Sequence, residues 1–103
     1  VWHPDTLLVS TWTGGSMGPY LRQIPTYFGD VPVRDLGLVA SEGRFTIPFA
    51  NGTPAGVLDI ASHYFEFVPE AEIDSAAPTV LGAHELQEGG TYFLIPTTRA
   101  GLY

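Results

Sequence analysis

Gly37-Leu38-Val39-Ala40-Ser41-Glu42-Gly43 passes within seven residues from apolar side chains to a hydroxyl, a carboxylate and a glycine. With Leu36, the apolar Leu38 and Val39 suit a strand covered on both faces. Ser41 and Glu42 then emerge at its C-terminal end, where open α/β sheets bind ligands, and Gly43 lets the backbone turn sharply. The plainer alternative is a strand running into an ordinary polar loop, so the neighbouring residues have to decide.

On the N-terminal side, Thr6 to Trp12 is a β-branched and apolar run that reads as a buried strand. Thr13, Gly14, Gly15 and Ser16 form the turn that ends it. Ser16 is placed to cap the following helix, and Pro19 falls early enough in it to be tolerated. Met17, Tyr20, Leu21 and Ile24 recur at spacings of three and four, giving one apolar face up to Pro25, which ends or kinks the helix. Thr26 to Asp30 closes the turn, and Val31 to Ala40 supplies the next strand. The result is a strand–helix–strand unit of the kind that pairs in parallel.

On the C-terminal side the texture changes. Phe45 to Phe49 is a short strand broken by Pro48, and Asn51-Gly52-Thr53-Pro54 is a turn cluster. Gly56 to Ala61 and His63 to Val68 are strands. In the second, Tyr64, Glu66 and Val68 share one face while Phe65 and Phe67 share the other. Glu66 therefore meets either solvent or a polar site. Glu70 to Pro78 is an acidic connector. Thr79 to Leu86 and Thr91 to Thr98 flank Glu88-Gly89-Gly90, which reads as a hairpin turn between them, so this half is mostly antiparallel. The expected fold class is α/β: a strand–helix–strand part of a parallel sheet in residues 1–44, then a smaller antiparallel β subdomain in residues 45–103.

The chain has 103 residues, enough for one core but short for a complete enzyme. Its 45% hydrophobic content and mean hydropathy of +0.13 argue for a folded chain. Four arginines, no lysine and 11 acids give a formal net charge of −7. That is the wrong sign for neutralising phosphate backbones or anionic membranes, and a P-loop lacks its lysine. With no cysteine there is no disulfide framework, thiol nucleophile or thiolate zinc site. The sequence contains no apolar run long enough to span a bilayer, and a cytoplasmic setting is the expectation. The abrupt ends, Val1-Trp2 and Gly101-Leu102-Tyr103, read as cuts in a longer protein.

Gly14-Gly15-Ser16-Met17-Gly18 satisfies the G-x-S-x-G pattern of a serine nucleophile elbow, and Asp59 and then His63 or His84 follow in the matching order. Only fifteen residues precede Ser16, too few for the sheet and the oxyanion donor that an elbow needs. A glycine-rich strand-to-helix turn whose amides face a ligand is the better reading. His63, Glu66 and His84 share no metal-ligand spacing and read as structural. Asn51-Gly52-Thr53 matches a glycosylation sequon that a turn explains fully.

Three stretches combine further. They are Thr13-Gly14-Gly15-Ser16-Met17 with Tyr20; Leu38-Val39-Ala40-Ser41-Glu42; and Tyr64-Phe65-Glu66-Phe67-Val68-Pro69, followed by Glu88-Gly89-Gly90-Thr91-Tyr92 and Thr97-Thr98-Arg99-Ala100-Gly101-Leu102-Tyr103. In order and spacing they resemble the auxin-responsive acyl-acid amido synthetases, the Gretchen Hagen family of adenylate-forming enzymes. The matching family segments are a Thr-Gly-Ser-Met-x-x-Tyr turn and helix, a Tyr-Ala-Ser-Ser-Glu nucleotide motif and a Thr-Thr-x-x-Gly-Leu-Tyr run.

The resemblance implies that the full protein activates a carboxylic acid with ATP as an acyl-adenylate and transfers the acyl group to an amine, usually an amino acid. It places Thr13, Gly14, Gly15 and Ser16 by the adenine and acyl ends, and Leu38, Val39, Ala40 and Ser41 by the nucleotide. Glu42 would help hold Mg²⁺, a hard cation that prefers carboxylate and phosphate oxygen. Leu38 stands where the family has an aromatic that stacks on adenine, and Val39 and Ala40 replace a small residue and a serine. The phosphate loop, the ribose aspartate and the C-terminal domain fall outside these residues, so the chain by itself is expected to be inactive. The alternatives are a non-catalytic ligand-binding or interaction domain on the same scaffold and, third, the serine hydrolase of the Ser16 elbow.

Overall fold

The computed structural model describes residues 7–101, which fall into two compact units dividing after Asp59. Val1, Trp2, Thr6, Leu102 and Tyr103, included in the readings above, lie outside the described residues.

In the first unit, β1 (Val9–Ser10) pairs in parallel with β2 (Val33–Arg34), with Val9 opposite Val33 and Ser10 opposite Arg34. The crossover between them runs through a 3-10 turn (Gly15–Met17), α1 (Gly18–Leu21) and α2 (Ile24–Phe28). A parallel strand–helix–strand unit is therefore present, but reduced to a two-residue ladder. The first strand is not buried as expected: Leu8 is 49% and Trp12 51% exposed. Nor is there one helix ended by Pro25. Each of the two short helices carries a proline at its first or second position, where the missing N–H leaves no bond unmade. Pro25 thus opens a helix, and Thr26 to Phe28 are helical. Ser16 is inside the 3-10 turn and caps nothing; Gly14 is the N-cap, with no side-chain bond.

The expected strand from Val31 to Ala40 is broken after Arg34. Gly37, at φ +83°, bends the chain, and β3 (Val39–Ala40) pairs antiparallel with β4 (Gly43–Arg44). Ser41 and Glu42 are the two-residue tip of a hairpin, not the end of a buried parallel strand. Leu38 and Val39 are 53% and 42% exposed, because a two-stranded hairpin covers neither of its faces. No non-glycine residue among those described has a positive φ, so the tip is not one of the primed turns, and Gly43, at φ +147°, takes the unusual backbone angle. β5 (Thr46–Pro48) then pairs antiparallel with β6 (Gly56–Leu58) around the Asn51–Pro54 turn. Buried Phe45 joins these hairpins: its amide donates to the Leu38 carbonyl at 2.8 Å, and its own carbonyl accepts from the Asp59 amide at 2.8 Å.

In the second unit, β7 (Tyr64–Pro69) is the central strand between β8 (Leu81–Gly82) and β9 (Tyr92–Thr97). Phe65, Phe67 and Val68 form its core, with Tyr64 exposed and Glu66 half-buried. The strands on either side of Glu88-Gly89-Gly90 are not partners. Both pair antiparallel with β7, on opposite edges. β9 matches all six residues of β7, from Tyr64 opposite Thr97 to Pro69 opposite Tyr92, whereas β8 gives way at Ala83 to a 3-10 turn in which Glu85 accepts the Gly82 amide at 2.7 Å. Pro96 is accommodated because β9 is an edge strand.

Candidate functional site

Among the described residues of the first unit, Asp35 is the buried polar one, 4% exposed. One carboxylate oxygen, Oδ2, accepts the Thr13 amide at 2.5 Å and the Thr13 hydroxyl at 2.7 Å. The other, Oδ1, accepts the Gly37 amide at 2.6 Å. Burial by itself pushes the Asp35 pKa up. The Thr13 hydroxyl and the amides of Thr13, Gly37 and Leu36 outweigh it and hold the carboxyl below its ordinary value of 3.8.

The carboxylate thus ties the end of β1 to the bend after β2. Around it Trp12, Gly14, Gly37, Leu38 and Pro54 line a cleft of ≈ 230 Å³ with Asp35 in its wall. Gly14 packs so closely on Pro54 that a Cβ there would come within 3.1 Å of the proline ring. Leu38 is anchored beyond the cleft by its amide, which donates to Thr46 Oγ1 at 2.7 Å.

Of the residues expected at a site, Thr13, Gly14 and Leu38 meet here, while Gly15 and Ser16 are exposed at the head of the 3-10 turn. The Thr13 amide is committed to Asp35, so it does not face a ligand as the turn reading expected. Val39, Ala40, Ser41 and Glu42 are exposed on the projecting hairpin, where the Ser41 hydroxyl donates to Glu42 Oε2 at 3.0 Å. Ser16 lacks the sharp strand-to-helix strain of a nucleophile elbow, since only glycines among the described residues take positive φ. His63, Glu66 and His84 form no metal site: no group of three or more His, Cys, Asp or Glu among the described residues is gathered to hold an ion. His63 instead stands edge-on to Phe65, ring centroids 5.9 Å apart. In the second unit a cavity of ≈ 350 Å³ is lined by Ser62, His63, Tyr64 and the Thr97-Thr98-Arg99 run.

Sequence reasoning missed Asp35. The available signal was an aspartate two residues before a glycine, the spacing at which its side chain bonds the backbone ahead of it.

Residues 56–103, from β6 through β9, match the GH3 family central domain. Over 108 residues the chain is 32% identical to jasmonoyl-L-amino acid synthetase JAR4 of Nicotiana attenuata, an alignment covering 97% of this chain and 18% of that protein. Over 106 residues it is 26% identical to indole-3-acetic acid-amido synthetase GH3.3 of Arabidopsis thaliana, covering 99% of this chain and 18% of that protein. The chain is similar to the GH3 family by both comparisons. It spans 18% of the length of these two GH3 relatives, and alignments that cover 97–99% of it include Thr13–Ser16 and Leu38–Glu42. A shorter stretch of 63 residues is 36% identical to a light-independent protochlorophyllide reductase of Cibotium schiedei, over 57% of this chain and 56% of that protein. The GH3 alignments account for nearly the whole chain, and that one leaves the rest unexplained. No solved structure matches the chain.

Proposed function

We propose that the protein containing this chain is an ATP-dependent acid-amido synthetase. A carboxylate oxygen of the acid attacks the α-phosphorus of ATP and pyrophosphate leaves; an amine, such as that of an amino acid, then attacks the acyl carbonyl of the adenylate and AMP leaves. Residues 1–44 carry the nucleotide-site segment and residues 45–103 the β-rich part of one larger catalytic domain. The observation that carries this reading is a single carboxylate bonded to Thr13, in the first synthetase-like stretch, and to Gly37, next to the second, at a cleft that Gly14 and Leu38 line. It supports a built nucleotide site, because residues 22 apart in the chain are held together there by a group that is costly to bury.

Trp12, Leu38 and Pro54 give the cleft apolar walls suited to a flat ring. On the hairpin, the Glu42 carboxylate and the Ser41 hydroxyl are oxygen donors of the kind magnesium accepts when the nucleotide phosphates supply the remaining ligands. These two residues would hold the Mg²⁺ of the nucleotide, which neutralises phosphate charge when bound. Glu42→Gln in the full-length protein is expected to lower acid-dependent ATP–pyrophosphate exchange by roughly 10²-fold, as when one electrostatic contact to the transition state is removed. The fold should be unchanged, since Glu42 is exposed. A variant with the wild-type rate and the wild-type Mg²⁺ dependence would remove Glu42 from the site.

A further inference from the structure

Asp35 belongs to neither stretch that resembles the synthetases, yet it is bonded to Thr13 in the first and to Gly37, the residue just before the second. A carboxylate this deeply buried is retained only where hydrogen bonds replace its hydration, and here neutral donors from two segments do so. The two segments differ in freedom. Gly37 and Leu38 are held on the far side as well. Leu38 donates to Thr46 Oγ1 and accepts from the Phe45 amide, and a Cβ on Gly37 would strike the Thr46 carbonyl. The Thr13–Gly15 turn is held by its bonds to Asp35 and by the packing of Gly14 on Pro54. Gly15 is exposed, at φ +59°, with open space around it. The part that Asp35 restrains is therefore the turn, and it restrains it against a fixed base.

We propose that Asp35 is a positioning residue of the nucleotide and acid site: its carboxylate locks the Thr13-Gly14-Gly15 turn onto Gly37–Leu38 and so sets the width of the cleft between them. This rests on the adenylating reading. Asparagine is no substitute, because its amide nitrogen would oppose a donor where the carboxylate offers an acceptor.

The test uses the full-length protein and acid-dependent ATP–pyrophosphate exchange. Asp35→Asn should raise KM for ATP about tenfold or more, the effect of losing a hydrogen bond to a charged group, with a smaller change in kcat. Thr13→Val should act in the same direction, Thr13→Ser should restore the wild-type KM, and the double variant should fall short of the product of the single effects, since both cut one link. Should Asp35→Asn not fold, the Thr13→Val and Thr13→Ser pair still decides. A merely structural Asp35 would lower the melting temperature and leave KM unmoved, which would overturn the proposal.

Amide hydrogen exchange supplies a second arm that needs no reaction. Thr13→Val should accelerate exchange at Gly37, 24 residues away in sequence, and unchanged exchange there would overturn the linkage. No pyrophosphate exchange in the unmodified protein would refute the adenylating reading, and with it the substrate half of the proposal, while the linkage would still stand or fall on amide exchange.

Discussion

Gly37→Ala is the substitution most exposed to refutation by a single number. Gly37 has φ +83°, in the left-handed region where a Cβ crowds the following carbonyl, at a cost of roughly 1–2 kcal/mol. A second cost is specific to the site. The new methyl would fall on the Thr46 carbonyl oxygen, with Thr46 Oγ1 at 3.1 Å and Pro48 Cδ at 3.2 Å. The obstacle is backbone, fixed by the pairing of Thr46 with Leu58 and of Pro48 with Gly56, so it does not swing aside as a flexible side chain does. Overpacking of this sort costs typically about 1–3 kcal/mol. The two together give about 2–5 kcal/mol, a large share of the roughly 5–15 kcal/mol that holds a domain folded. Gly52→Ala is the internal control: Gly52 also has a positive φ, +70°, but nothing lies within 4 Å of its Cβ position, so only the conformational cost of about 1–2 kcal/mol applies. Urea unfolding of the full-length protein, followed by amide exchange at Phe45 and Asp59, measures both. Equal losses for the two variants would show that Thr46 does not crowd Gly37, and the account of a fixed base under Leu38 would fail.

The acid response of the first unit should depend on Asp35. Its folded pKa lies below the ordinary 3.8, so its stabilisation is complete above that value and is lost as pH falls through it toward the folded pKa. The gap in urea midpoint between wild type and Asp35→Asn should therefore be constant near neutrality and close below about pH 3.8; a gap that stays constant through the acid range would contradict an ionised, hydrogen-bonded Asp35. Ser16→Ala should change stability by no more than about 0.5 kcal/mol, as for an exposed side chain without a cap bond. A loss near the ~1 kcal/mol of a true N-cap would restore the capping role.

How much of this was legible depended on how many residues carried each signal. β7 was readable because Tyr64 to Phe67 alternate and their burial follows, Phe65 and Phe67 inward and Tyr64 outward, although Val68, which the alternation puts on the Tyr64 face, is buried too. Its partners were not, because proximity in sequence favoured joining the strands around Gly89, whereas β9 satisfies more backbone groups by matching the whole of β7. Leu38 and Val39 misled because two adjacent apolar residues carry no period, and nothing in them separates a covered strand from a bare hairpin. Asp35 was hidden for a different reason: its main partner, Thr13, is 22 residues away, and side-chain satisfaction at that distance leaves no local trace.

The sequence places the role proposed for Glu42 at a strand end, where the structure has a hairpin tip. Either a strand end or a hairpin tip leaves its carboxylate exposed, so the proposal does not depend on which is present. The aim of the carboxylate does. A sheet end would hold Glu42 rigidly, whereas the tip rests on two residue pairs, Val39 with Arg44 and Ala40 with Gly43, and a two-stranded hairpin is marginal by itself. The firm ground under it is Leu38, tied to Thr46 and, through Gly37, to Asp35. Preorganisation of this side of the cleft therefore begins at Asp35 and weakens outward along the hairpin. Variants at the base should accordingly disturb nucleotide affinity, while those at the tip should disturb the Mg²⁺ dependence.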